Sequence, residues 1–203
     1  MFAIDIDNTI TDPAWFDSDF QATVEQYIQA RIITRADVEG LRFHPQLYLL
    51  PQVALTHRPK AQAVETLQQV AATGSPIFYC TARNHINPDV CRQIHANTYT
   101  WLEQHGFPFS RQVQFFWNVG DKLIHALETS EPQSFLVDDR PQGLIEAYHQ
   151  IAVSDPALAL QIRERVTLIA FGYTDVQQFS RSDVRVIPLE HWSRFGELHL
   201  TLG

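Results

Sequence analysis

The chain has 203 residues, 45% of them hydrophobic and 19% charged, with a formal net charge of −8. That length suits one domain carrying an insertion and a substantial core. The acidic balance, with no run of lysine or arginine, excludes a surface built to grip long DNA or RNA, where affinity comes from neutralised phosphates. A small phosphorylated ligand stays open, because a few local cations and a metal can hold one phosphate whatever the global charge.

Cys80 and Cys91 are the two cysteines, and the nine histidines are scattered. Two thiols are too few for a disulfide framework and lack metal-type spacing, which fits a reducing, cytoplasmic setting. The histidines read as surface or satisfied core residues, and no zinc site is expected. The first apolar run has no basic leader and is broken by Asp5, and no later run reaches the roughly 18 residues a membrane span needs. No membrane partner is expected.

In chain order, Phe2-Ala3-Ile4-Asp5-Ile6-Asp7 reads as a strand that puts Asp5 and Asp7 on the same side before polar turn-formers. Thr11-Asp12-Pro13 reads as a turn. Residues 14–58 look like an insertion of short helices: Phe20, Val24, Tyr27 and Ile28 recur at helical spacing, and Thr34 is placed to cap a second helix through Leu41. Phe43 to Val53 has prolines and aromatics without a period.

From Pro59 the pattern is regular. Val64, Leu67, Val70 and Ala71 mark a helix ending at Gly74, and Pro76 to Cys80 a buried strand. Asn87-Pro88 opens a helix with stripe Val90, Ile94, Thr98 and Trp101, and Val113 to Trp117 is a strand. A short helix, Gly120 to Leu127, leads to a strand from Ser134 to Val137 that runs into Asp138-Asp139. Leu144, Tyr148 and Ile151 mark another helix, Ser154-Asp155-Pro156 begins one more, and Val166 to Phe171 is the fifth strand. Val184 to Ile187 is a candidate sixth, limited by Pro188.

Strands alternating with helices at this spacing predict an α/β fold: a Rossmann-like parallel sheet of about five strands with helices on both faces, plus a small helical insertion. Residues 1–13 and 59–203 form the core and 14–58 the insertion. In such sheets ligands sit at the carboxyl ends of strands. Asp5 and Asp7 end the first strand, Thr81 in Cys80-Thr81-Ala82-Arg83 follows the second, Lys122 opens the helix before the fourth, and Asp138-Asp139 follows that strand.

The D-x-D-x-T run after a short strand, then Thr81, Lys122 and the paired acids in that order, resembles the four motifs of the haloacid dehalogenase-like (HAD) phosphohydrolases over most of the core. The resemblance implies that Asp5 is the nucleophile that becomes an aspartyl-phosphate, and that Asp7 is the acid for the leaving oxygen and later the base for water. It implies that Thr81, Ala82, Arg83 and Lys122 hold phosphate. Magnesium is implied between Asp5, the Asp7 backbone carbonyl and Asp138, with Asp139 a second metal-side or lysine-pairing carboxylate and 14–58 a helical cap. Asn8 stands where the family often has glycine, a change that asparagine's tolerance of turn conformations accommodates.

The chemistry has its own logic. Phosphate monoesters are among the slowest substrates to hydrolyse uncatalysed, and repulsion between an anionic nucleophile and an anionic phosphate is part of the barrier. A hard cation held by carboxylates relieves that repulsion. A carboxylate nucleophile divides the displacement into two easier steps, and the two acids need different environments to serve as nucleophile and as acid. Arg83 and Arg140 either reach the substrate or pair with a neighbouring acid. A magnesium-dependent phosphatase of a small phosphorylated metabolite is the leading expectation, and a non-catalytic phosphate binder or phospho-accepting regulator is the alternative. Acids dispersed in space, or a lysine plugging the place of the ion and so counting against it, would end this reading.

Overall fold

The computed structural model describes residues 1–13, 17–129, 132–180 and 182–198. The start of the expected insertion at 14–16 and the last five residues of the tail lie outside them. The strands are β1 (Phe2–Asp5), β2 (Thr11–Asp12), β3 (Arg58–Pro59), β4 (Ile77–Thr81), β5 (Val113–Phe115), β6 (Ser134–Asp138), β7 (Val166–Phe171) and β8 (Arg185–Leu189). The helices are α1 (Phe20–Gln29), α2 (Pro51–Ala54), α3 (Ala63–Ala72), α4 (Pro88–Gln104), α5 (Val119–Glu128), α6 (Pro141–Ser154) and α7 (Pro156–Arg165).

Six strands form one sheet in the order β5-β4-β1-β6-β7-β8, every pair parallel. Side chains alternate across it. Phe2, Ile4, Ile77, Tyr79, Phe135 and Val137 pack with Leu67 of α3 and Trp101 of α4 on one face. Ala3, Phe78, Cys80, Leu136 and Leu168 meet Leu123 of α5, Leu144 of α6 and Ile162 of α7 on the other. Two-sided burial explains why these strands read as continuous apolar runs. Chain order runs outward from β1 through β4 to β5, then resumes on the other side at β6. A crevice therefore opens where the direction of winding reverses, at the carboxyl ends of β1 and its neighbours.

Several expectations need correction. The sheet is the expected Rossmann-like one, and its candidate sixth strand forms with shifted bounds, as Arg185–Leu189 paired with β7 along its full length. Pro188 is accommodated at the edge: the Leu189 carbonyl accepts from Gly172 N–H at 2.8 Å and so faces inward, which turns the residue before it, and its missing N–H, outward. The first strand stops at Asp5, and Asp7 lies in the turn beyond. Thr11-Asp12 is a short strand paired antiparallel with Arg58-Pro59, so the two ends of the insertion run side by side. The helix expected from Thr34 to Leu41 is a series of turns: the Asp37 carboxylate accepts from Thr34 N–H at 2.7 Å and from its hydroxyl at 2.8 Å, and Gly40 sits at φ +89°.

The insertion has its own small core of Val24, Tyr27, Ile33, Leu47 and Val53. Asp19 caps α1 by accepting from Gln21 N–H at 2.8 Å, and the aperiodic stretch folds as a 3₁₀ turn, His44–Leu49, leading into α2. Asn97 of α4 donates to the Pro51 carbonyl at 2.8 Å, tying insertion to core. Among the described residues, no helix is long and apolar enough to cross a membrane.

Candidate active site

β1, β4 and β6 are adjacent, so Asp5, Thr81 and Asp138, each the last residue of its strand, reach the crevice together. Lys122 enters from the first turn of α5. The Lys122 ammonium donates to Asp5 Oδ1 at 2.6 Å and Asp138 Oδ2 at 2.7 Å, with all three side chains under 10% exposed. The second oxygen of Asp5 accepts from Thr9 Oγ1 at 3.1 Å, and that of Asp138 from Arg140 N–H at 2.8 Å. Burial opposes the lysine's charge, but Asp5 and then Asp138 outweigh it and hold its pKa well above the ordinary value. Burial raises Asp5 to about 8; Lys122 opposes that rise, and the nearby acids add to it.

Asp7 lives in another environment. Arg83 donates from Nε to both of its oxygens at 3.0 Å and from Nη2 to Oδ1 at 2.6 Å, and the Thr81 hydroxyl donates to Oδ2 at 3.2 Å. Burial alone would raise Asp7, but the Arg83 guanidinium overrides it and holds the carboxyl below its usual range. Arg83 itself is 1% exposed. Its remaining nitrogen, Nη1, donates to Thr98 Oγ1 at 3.2 Å, and Thr98 passes a hydrogen bond to the Ile94 carbonyl. Of the two courses open to Arg83, the structure takes the acid pairing, and the guanidinium counted on for phosphate is committed to Asp7. Ala82 is exposed beside it.

The turn after β1 is fixed by Asn8 at φ +59°, the left-handed conformation asparagine tolerates. Its N–H donates to Thr11 Oγ1 at 3.1 Å, and Tyr48 of the insertion donates to its Oδ1 at 3.0 Å. The Tyr48 ring meets His57 edge to face at 5.1 Å. His57 is 2% exposed with both ring nitrogens unpartnered, and burial, then Arg83, lower its pKa to about 3. Thr9, Tyr48, His57 and the Arg83–Asp7 pair were not assigned from the sequence. Thr9 stands in the D-x-D-x-T run and had a signal, whereas Tyr48 and His57 lie where the pattern is aperiodic.

Asp5, Asp138 and Asp139 each bring one carboxylate oxygen within 4.8 Å of the others. This set fits a hard divalent ion. The donors are all oxygen, and four carboxylates here face two buried cations, Lys122 and Arg83, with the exposed Arg140 beside Asp139. Burial and then Asp138 raise Asp139 to about 6, against the pull of Arg140. Lys122 stands between Asp5 and Asp138, where a lysine would count against the ion, but it takes only one oxygen of each and Asp139 is not among its hydrogen-bond partners, so the acids converge and the lysine shares two of them. The Asp7 side chain stands outside the set, on Arg83. The half-buried Asp139 and exposed Arg140 line the outer side.

No protein-family model matches the sequence, and no curated protein matches it. Among solved structures, the chain is similar to a haloacid dehalogenase-like hydrolase from Burkholderia xenovorans LB400, at 14% identity over 98% of this chain and 95% of that one, TM-score 0.48. It is similar to a HAD-superfamily hydrolase from Ehrlichia chaffeensis, at 13% identity over 97% and 93%, TM-score 0.48. A HAD family hydrolase from Deinococcus radiodurans R1, solved with bound phosphate and sodium, aligns at 13% identity over 93% and 90%, TM-score 0.43. At these scores the likeness is one of outline.

Proposed function

We propose that this chain is a HAD-type, magnesium-dependent phosphatase that hydrolyses a small phosphorylated metabolite through an aspartyl-phosphate on Asp5. The observation that carries the reading is the convergence of Asp5, Asp138 and Asp139 beside Lys122 at the carboxyl edge of the central strands. Asp5, Asp138 and Asp139 would hold the ion, with the Asp7 backbone carbonyl, and magnesium would supply charge neutralisation for nucleophile and phosphate.

Lys122 keeps Asp5 pointed and partly neutralised, and Thr9 fixes its other oxygen. An Asp5 oxygen bonds to phosphorus as the bond to the leaving oxygen breaks, and that oxygen takes a proton from Asp7. Water then attacks the phosphoryl group, Asp7 takes its proton, and the bond from Asp5 to phosphorus breaks to release phosphate. Asp7 clamped by Arg83 is already in the basic form the second step needs. The first step needs it protonated, and an arriving phosphate dianion favours that by raising the carboxyl's pKa. Thr81, whose hydroxyl now donates to Asp7, would turn that hydroxyl to the phosphate once Asp7 shifts.

Residues 14–58 serve as a cap that excludes water from the phosphorylated aspartate. Its tie to the site is Tyr48 on Asn8, and its two ends meet at the β2–β3 pair. A cytoplasmic setting belongs to the same proposal.

Purified protein is expected to hydrolyse a generic aryl phosphate with magnesium and to stop when the metal is chelated. Asp5→Asn is expected to lose activity on the order of 10⁶-fold, the scale reached when a covalent nucleophile is removed, with an unchanged circular dichroism spectrum; equal turnover in that variant ends the assignment. The Arg83–Asp7 clamp favours a second reading: a phospho-accepting regulator in which Asp7 never leaves Arg83 and phospho-Asp5 persists. Acetyl phosphate separates the two, since the phosphatase releases inorganic phosphate continuously and the regulator stops at one phosphoryl group per chain.

A further inference from the structure

The phosphatase reading requires Asp7 to leave Arg83 when it turns to the leaving oxygen, and a buried carboxyl that gives up such a clamp needs a partner where it arrives. The structure holds an uncommitted one nearby. His57 is 2% exposed, and neither of its ring nitrogens has a hydrogen-bond partner among the described residues. Resting on that reading, we propose that His57 is a positioning residue for Asp7: its ring N–H takes up the carboxyl that Arg83 releases and keeps the acid proton turned toward the leaving oxygen.

The contacts around His57 put its imidazole beside the clamp. Thr98 and Trp101 are buried three positions apart on α4, where such residues are neighbours on one face. Thr98 Oγ1 accepts from Arg83 Nη1 at 3.2 Å, and Trp101 Nε1 donates to the His57 carbonyl at 2.8 Å. One helix face therefore holds both residues. Tyr48 ties the same ring to the turn after β1: it meets His57 edge to face at 5.1 Å, and its hydroxyl donates to Asn8, the residue after Asp7. The imidazole and the Asp7 carboxyl are close enough to act on each other's charge. The His57 backbone runs directly into β3, so the ring is placed by α4 and the base of the insertion rather than by its far end.

Packing alone does not call for histidine here. A phenylalanine fills a similar space against Tyr48 without two stranded polar atoms, and buried polar groups without partners cost stability. Local conflicts of this kind are expected where a residue serves function. A neutral imidazole offers one N–H and one acceptor. Burial, then Arg83, lower the pKa of His57 to about 3, so the ring stays neutral and brings no charge to compete with the guanidinium. Its N–H donates to one Asp7 oxygen and leaves the other to present the proton. In the second step the same bond leaves that oxygen free to take a proton from water. His57 itself transfers none.

The test compares kcat/KM for phenyl phosphate and 4-nitrophenyl phosphate, with magnesium, in wild type and in His57→Phe. Nitrophenolate departs with little help, whereas phenolate depends on the acid. In His57→Phe, kcat/KM is expected to fall about 100-fold further for phenyl phosphate than for the nitro ester, the lower end of what a positioned acid contributes, with a melting temperature at or above that of wild type. Equal falls on both esters assign His57 to packing and overturn the proposal, as does no fall on either. Should His57→Phe fail to fold, His57→Ala with added imidazole replaces it. Imidazole is then expected to restore the phenyl ester more than the nitro ester, and equal restoration, or none, overturns the proposal. A wild type that turns over neither ester removes the phosphatase reading and this proposal with it, whereas an active wild type whose variant keeps the same ratio removes this proposal alone.

Discussion

The two sides of the crevice handle the same problem, a buried carboxylate beside a cation, in opposite ways. On the β6 side one ammonium is shared between Asp5 and Asp138, and Asp5 is raised to about 8. On the β4 side a whole guanidinium fork is spent on Asp7, and that carboxyl is lowered. Two aspartates two residues apart thus differ in sign of perturbation because Lys122 is a point charge divided between partners while Arg83 is a planar group matched to one. A shared cation leaves charge for a metal to complete, and a dedicated one leaves none.

Lys122→Met is the strongest way to break this contrast. Removing one member of a buried ion pair costs about 3–5 kcal/mol, so the metal-free variant is expected to melt well below wild type, by roughly 2–4 °C per kcal/mol for a chain of this size. Magnesium should recover part of the loss, and activity should fall with it. Arg83→Met tests the other side and should cost less, because Asp7 is 14% exposed and can turn toward water. In that variant the acid limb of the pH–rate profile should move upward as Asp7 loses the guanidinium; an unmoved limb would assign it to another group.

The pH dependence of stability sharpens the same comparison. Asp5 and Asp139 bind protons more tightly folded than unfolded, so the metal-free protein should lose stability as pH rises from about 4, the unfolded carboxylate range, through 6 and on to 8. Asp7 acts in reverse: its contribution is present above its unfolded pKa and is lost as pH falls through the lowered one. Thermal melts should therefore show magnesium stabilising the protein by more at pH 8 than at pH 5. Equal stabilisation at both would detach the ion from these acids. Tyr48→Phe is the mildest change. It removes one hydrogen bond to Asn8, worth about 0.5–1.5 kcal/mol, and should raise KM more than it lowers kcat if the insertion is a lid.

Much of the core was legible because its signals are local. Asn87 caps α4 by accepting from the Asp89 and Val90 amides, Asp155 caps α7 by accepting from the Leu158 amide, and the buried strands are largely apolar. The acids and Lys122 were legible because each follows a strand. Arg83 and Asp7 are 76 positions apart, and no periodicity reports such a pairing. Tyr48 was hidden for the same reason. The Thr34–Leu41 segment misled because so short a helix is marginal, and Asp37 offered Thr34 a turn instead.

The proline in β8 has a consequence for the molecule in solution. An outermost strand ordinarily displays a row of free amides to which another chain can add its own. Pro188 deletes one rung of that ladder on the outward side, so a neighbouring copy meets an interrupted template, and the open margin of the sheet is protected against growth into larger aggregates.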